Sequence, residues 1–132
     1  MRGLPGSGKS KWIKDNIPWA AICSADHWFY RSGVYQFVKS ELGIAHKLCF
    51  EAFEIAIRAF EDTIAVDNTN LSSWEYQKYV DLGKKNGYDI KIIDIGDGGL
   101  TNEELAKRNV HGVPLSEYER LRNKMNSHSI NL

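Results

Sequence analysis

The sequence has no excess of charge of either sign: 17 Lys and Arg stand against 17 Asp and Glu. That balance excludes the broad basic field with which a protein grips nucleic acid along its length. It leaves open a grip on a strand end, which needs only a few local cations. Cysteine is scarce, with Cys23 and Cys49 far apart and each inside an apolar run. No CxxC pair, zinc-type spacing or HxxxH is present, so a protein-held transition metal is not expected and both thiols read as buried and reduced. No apolar run is long enough to span a bilayer and no leader-type segment precedes the first motif, so a cytoplasmic protein without a membrane partner is expected. No repeat, low-complexity tract or linker divides the chain. Its 132 residues, 42% hydrophobic and 26% charged, suit one soluble domain over 1–132 that needs no disulfide to hold its core.

What is present is an alternation of strand and helix patterns. Residues 9–16 read as a short helix that stops before Pro18. The apolar run 19–23 reads as a strand. From 41 to 60 the apolar residues Leu42, Ala45, Cys49, Ala52, Phe53, Ala56 and Phe60 recur at helical steps, giving the longest helix. The run 63–66 is a second strand, and 88–95, with Ile90, Ile92, Ile93 and Ile95, a third. Three capping boxes, Ser72 with Glu75, Thr101 with Glu104 and Ser116 with Glu119, open the remaining helices. Short apolar strands alternating with helices predict an α/β, three-layer fold with a short parallel sheet.

Gly3-Leu4-Pro5-Gly6-Ser7-Gly8-Lys9-Ser10 fits G-x-x-x-x-G-K-[ST] at every fixed position. Glycines are needed where backbone amides close around phosphate oxygens. In such a loop Lys9 reaches the β- and γ-phosphates of ATP, Ser10 ligates Mg²⁺, and the following helix turns its N-terminus to the negative charge. A phosphate loop normally joins a central strand to this helix, yet only Met1 and Arg2 precede Gly3, too few for a strand of about five residues. The expectation is a first, central strand cut short before residue 3, a domain of low stability, and weak ATP binding until upstream apolar residues are restored.

Four blocks stand in order: GLPGSGKS at 3–10, ICSADHWF at 22–29, VDNTN at 66–70 and ELAKRNVHGVP at 104–114. Together they resemble the P-loop kinase domain of the polynucleotide 5′-kinase-like family, the phage end-healing kinases among them, over nearly the whole chain. Asp26 follows the first strand after the loop, at the strand end that faces the ligand crevice in a parallel sheet; the resemblance implies that it is the general base, the residue-level alternative being a turn cap. Asp67 ends a strand as a Walker-B-type carboxylate does, a Mg²⁺ or acceptor group, while Asn68 and Asn70 read equally as a self-bonded turn. Arg108 resembles the family's lid arginine over the ATP phosphates, or else it interacts with a helix C-terminus. His111 reads as structural first and phosphate-contacting second, and Lys107 as solvated. His46 reads as a core or boundary side chain and His27 as a neighbour of the site. Trp28 and Tyr30 are candidates to stack on an acceptor base. In the family an arginine often stands three residues after the aspartate; here that position is Phe29, with Arg31 two residues on.

The resemblance implies an ATP-dependent kinase with Mg²⁺, whose catalytic residues are Asp26, Lys9 and Arg108 and whose acceptor is the 5′-hydroxyl of a nucleic-acid end. The nucleotide is held by Gly3, Pro5, Gly6, Ser7, Gly8, Lys9, Ser10 and Arg108, and the metal by Ser10 and Asp67. A small nucleoside or metabolite as acceptor, and a non-catalytic ATP-binding module, remain as alternatives.

Overall fold

The structure, a computed structural model, describes residues 1–128. It is a mixed α/β fold with a short parallel sheet. Strand β1 (Arg2–Gly3) pairs in parallel with β6 (Asp94–Gly96), and β2 (Ala21–Cys23) pairs in parallel with β5 (Ile64–Val66). Backbone bonds join the two pairs through β1. Met1 N–H donates to the Val66 carbonyl at 3.0 Å and Gly3 N–H to Thr69 at 3.0 Å. From its other edge Arg2 N–H donates to Ile93 at 2.9 Å and Leu4 N–H to Gly96 at 2.8 Å. The strand that carries the phosphate loop is thus central but two residues long, as its sequence allows.

Helix α1 (Lys9–Asn16) follows the loop. Past β2 comes a 3₁₀ turn, Ala25–Phe29, and then a hairpin of β3 (Tyr30–Arg31) and β4 (Val34–Tyr35) that the sequence reading had not marked. Its two turn residues, Ser32 and Gly33, both have positive φ (52° and 80°), the twist a tight hairpin demands. Helices α2 (Leu42–Arg58), α3 (Ser73–Lys85), α4 (Asn102–Arg108) and α5 (Leu115–Ser127) complete the chain. Among the described residues no helix is long and apolar enough to cross a membrane.

Two clusters of buried side chains hold these elements. In the first, Ala45, Cys49, Phe53 and Ile57, on one stripe of α2, pack with Cys23, Ala25, Phe29 and Tyr79. Both cysteines are free and buried, and burial pushes the Cys23 thiol up to about 11. In the second, Leu4 and Leu71 meet Leu105, Tyr118 and Met125 of α4 and α5. Arg2 ties that cluster to the sheet. Its guanidinium is almost wholly buried, donating to Asp94 Oδ2 at 2.9 Å and to the carbonyls of Leu71, Met125 and His128 at the end of α5. A cation on the last carbonyls of a helix is favourable and satisfies oxygens that the helix leaves unpaired.

Three expectations are corrected. The strand expected over 88–95 is confined to Asp94–Gly96, the residues that pair with β1 at Arg2 and Gly3. The Ser116–Glu119 capping box does not form: α5 starts at Leu115 behind Pro114, which puts Ser116 inside its first turn. The long helix ends at Arg58, and Phe60, with φ of 57° and an exposed ring, lies outside it. The Thr101–Glu104 box forms in both directions, at 3.2 Å each way, and Ser72 N–H donates to Glu75 at 2.6 Å.

Candidate active site

Three of the four parallel strands hand the chain to a site segment at their carboxyl ends: β1 to the phosphate loop, β2 to Ser24–Asp26, and β5 to 67–70. That is the edge at which open α/β sheets bind ligands. A cavity of about 770 Å³ opens there, lined by Gly6, Lys9, Ser10, Asp26, Asp67 and Arg108 among others. Residues far apart in sequence therefore share one volume, large enough for a nucleotide with an acceptor group.

The glycines of the loop are fixed by conformation and packing. Gly6 has φ of 82°, and a Cβ there would fall 2.6 Å from the Leu105 carbonyl oxygen, so both its conformation and its packing against α4 demand glycine. At Gly3 the reason is close packing rather than ligand approach. A Cβ would meet Ser7 Oγ at 2.8 Å and the Gly96 carbonyl at 3.1 Å. Pro5 and Gly8 line the cavity, whereas Gly3 and Ser7 do not; Ser7 is buried beneath the loop. Helix α1 begins at Gly8 with no side-chain cap and no acid in its first turn, which leaves its N-terminal amides and positive end turned to the cavity.

Lys9 Nζ is folded back onto the loop, donating to the carbonyls of Gly3 and Leu4 at 3.0 Å each. Burial pushes its amine below the ordinary lysine value, against the pull of the Asp67 and Asp26 carboxylates. Ser10 Oγ donates to Asp67 Oδ2 at 2.8 Å. This pair of hard oxygen donors at the loop fits Mg²⁺, which takes one or two protein oxygens and completes its shell with water and phosphate.

Asp26 sits across the cavity from the loop. Tyr35 OH donates to its Oδ1 at 3.0 Å and His111 Nδ1 lies 3.4 Å from its Oδ2. Burial, reinforced by the Asp26 carboxylate and the hydrogen bond it accepts, drives the Tyr35 phenol well above the ordinary tyrosine range, so Tyr35 stays a donor. His111 packs 4.4 Å from the Tyr35 ring and comes from the segment just after Arg108. Arg108, in the last turn of α4, lines the cavity with an exposed side chain and forms no salt bridge among the described residues. Lys107 is exposed and lies outside the cavity lining, as expected.

The DNTN segment divides its work. Asp67 turns to Ser10, while Asn68 and Asn70 reach distant backbone, and Asn70 Nδ2 also lies 3.5 Å from the Asn68 carbonyl within the turn. Asn68 Oδ1 accepts from Ala25 N–H at 2.9 Å, and Asn70 Nδ2 donates to the Met1 carbonyl at 2.8 Å. Trp28 lies outside the cavity, with its indole N–H on Glu41 at 2.9 Å. Tyr30 is likewise outside the lining; Tyr35 and Phe37 supply the aromatic wall instead. His46 borders the cavity, and His27 does not. Phe29 is core, and Arg31 pairs with Glu41 outside the cavity. Sequence reasoning missed Tyr35 and Tyr118. Tyr118 is fully buried and donates to the Pro5 carbonyl at 2.8 Å, joining α5 to the loop across 113 positions.

The profile of the family described as an AAA domain (AAA_33) matches residues 1–126. This chain belongs to that family. The AAA domain here is a P-loop nucleotide-binding domain of the kinase or ATPase kind. Human (Homo sapiens) NEDD4-binding protein 2 is similar to it, 39% identical over 129 residues. That alignment takes in 92% of this chain and 7% of the relative's length, so the chain spans a small part of the protein it matches.

Proposed function

We propose that this AAA domain transfers the γ-phosphate of ATP to a hydroxyl, and that the acceptor is the 5′-hydroxyl of a polynucleotide end. The observation that carries the proposal is the shared cavity, in which Lys9 and Ser10 on one wall face Asp26 and Arg108. Binding of nucleotide alone requires neither of the latter two. In this reading the loop amides and Lys9 hold the phosphates, and Lys9 leaves the carbonyls of Gly3 and Leu4 to do so. Asp26 accepts the proton of the attacking hydroxyl, which takes the place of His111 on the carboxylate. Arg108 closes over the phosphates and balances the charge that develops during transfer. Ser10 and Asp67 would hold Mg²⁺, which when bound neutralises charge on the β- and γ-phosphate oxygens. The aromatic wall of Tyr35 and Phe37, with Lys39 beside it, suits a base and its phosphate.

A second reading keeps the chemistry and changes the acceptor to a small nucleoside or metabolite. Phe29, buried where the resembling kinases carry an arginine, and Arg31, held by Glu41, favour it. The two separate in one assay, γ-labelled ATP with a panel of 5′-hydroxyl DNA, 5′-hydroxyl RNA and free nucleosides. The proposal predicts label on the oligonucleotides in preference to nucleosides. Label on nucleosides alone supports the second reading, and ATP binding with no transfer to any acceptor leaves a non-catalytic nucleotide-binding module.

A further inference from the structure

Tyr118 is fully buried, in the cluster where Leu4 of the phosphate loop meets Leu105 of α4 and Met125 of α5. A phenylalanine would fill that space as well, so the informative part is the hydroxyl. It reaches out of the cluster to the loop backbone, donating to the Pro5 carbonyl at 2.8 Å, and the Leu105 carbonyl lies 3.4 Å away. Burial holds the phenol above the ordinary tyrosine value, so it stays a donor.

The carbonyl it holds belongs to a peptide that can turn over. Ser7 N–H donates to the Leu4 carbonyl at 3.1 Å, and Gly6 between them has φ of 82°. Leu4–Ser7 is thus a β-turn with proline second and glycine third, the type II arrangement. Types I and II differ by a half-turn of the central peptide, here Pro5–Gly6, and glycine accepts either sign of φ. In the observed form the Pro5 oxygen points into the core, onto Tyr118. A trans peptide directs its carbonyl and its amide to opposite sides. Gly6 N–H is therefore turned away from the core, toward the cavity that Pro5 and Gly6 line. No backbone carbonyl among the described residues accepts from it. Turned over, the same peptide would aim the Pro5 oxygen at the phosphates and repel them.

The hydroxyl also meets α4. The Leu105 carbonyl accepts from Asn109 N–H at 3.0 Å and is the atom that a Cβ on Gly6 would strike at 2.6 Å. Loop, α4 and α5 thus come together at one point, three residues before Arg108.

We propose that Tyr118 is a positioning residue of the nucleotide site: by holding the Pro5 carbonyl, its hydroxyl locks the Leu4–Ser7 turn with the Gly6 amide facing the phosphates of ATP. The proposal rests on the loop amides holding phosphate and not on transfer, so its test reads ATP binding alone. Tyr118→Phe keeps the ring and removes the lock. Met125→Ala opens the same cluster from a residue outside the cavity lining and leaves the hydroxyl in place. Melting temperature, Kd for ATP with Mg²⁺ and the amide resonance of Gly6 are measured for both variants and the parent chain. Tyr118→Phe is expected to raise Kd about tenfold, the scale of one hydrogen bond to a charged group. Met125→Ala is expected to lower the melting temperature at least as much while Kd stays within about twofold. In the parent chain the Gly6 amide is expected to shift as ATP is added, a reading that needs no variant to fold. An unchanged Kd for Tyr118→Phe, or equal weakening by the two variants, would overturn the proposal. ATP binding with an unmoved Gly6 amide would overturn it alone, and failure of the parent chain to bind ATP would overturn it together with the nucleotide reading.

Discussion

Asp26 is held from two sides, by a phenol at 3.0 Å and an imidazole at 3.4 Å, and the phenol comes from a segment with no sequence mark of function. Tyr35 reaches it because the Ser32–Gly33 turn folds β4 back over β3. The hydroxyl fixes which carboxylate oxygen faces the cavity without itself meeting the phosphates, so Tyr35 is a positioning residue. Tyr35→Phe is expected to lower the rate of phosphate transfer roughly tenfold, the scale of one hydrogen bond to a charged group, with KM for ATP unchanged. Steady-state kinetics in both substrates check this; a raised KM for ATP at an unchanged turnover would contradict it. At this scale the sequence is legible where chemistry fixes spacing. Lys9, Ser10, Asp26, Asp67 and Arg108 were all named from the chain, and all border one cavity. Tyr35 and Tyr118 were not legible, because a tyrosine's partner 9 or 113 positions away leaves no local pattern.

Among the elements, those set by local rules came out as read. Helix α2 follows its three- and four-residue apolar steps, and α4 follows its Thr101–Glu104 box. Those set by partners did not. Residues 88–93 have the composition of a strand, but a strand exists only where a neighbour pairs with it. The end of α5 is likewise tied down from a distance. Arg122 donates to Asp97 Oδ2 at 2.6 Å, to Asn102 Oδ1 at 2.9 Å and to the Leu100 carbonyl at 3.0 Å, pinning α5 to the segment after β6. The hydrogen bond from Arg122, aided by Gly99 N–H, holds the Asp97 carboxyl below the usual aspartate value. A carboxyl whose pKa is lower in the folded than in the unfolded chain stabilises above the unfolded value of about 3.9, and that contribution is lost as pH falls through the folded value. Melting temperature followed from about pH 6 to pH 3 should therefore fall less steeply for Asp97→Asn than for the parent chain, with the parent the more stable at pH 6. Parallel curves would show that the pair adds nothing. The carboxylate is partly exposed, so the difference should be small and should shrink with salt.

In the whole molecule, the parallel sheet gathers Lys9, Ser10, Asp26 and Asp67 around one cavity at its carboxyl edge. The fold class could be read from alternation alone, and the nucleotide site from one eight-residue loop. The joint between them could not, because Arg2, Tyr118 and Asn70 act across the molecule through long-range hydrogen bonds. The central claim is that this cavity performs transfer, with Asp26 as the base opposite an intact phosphate loop. Its most direct test measures ATP affinity and the single-turnover rate of label transfer in parallel, for the parent chain and for Asp26→Asn. The account predicts an unchanged Kd for ATP and a transfer rate lower by about 10²- to 10⁴-fold. Transfer at the parent rate by Asp26→Asn would contradict it.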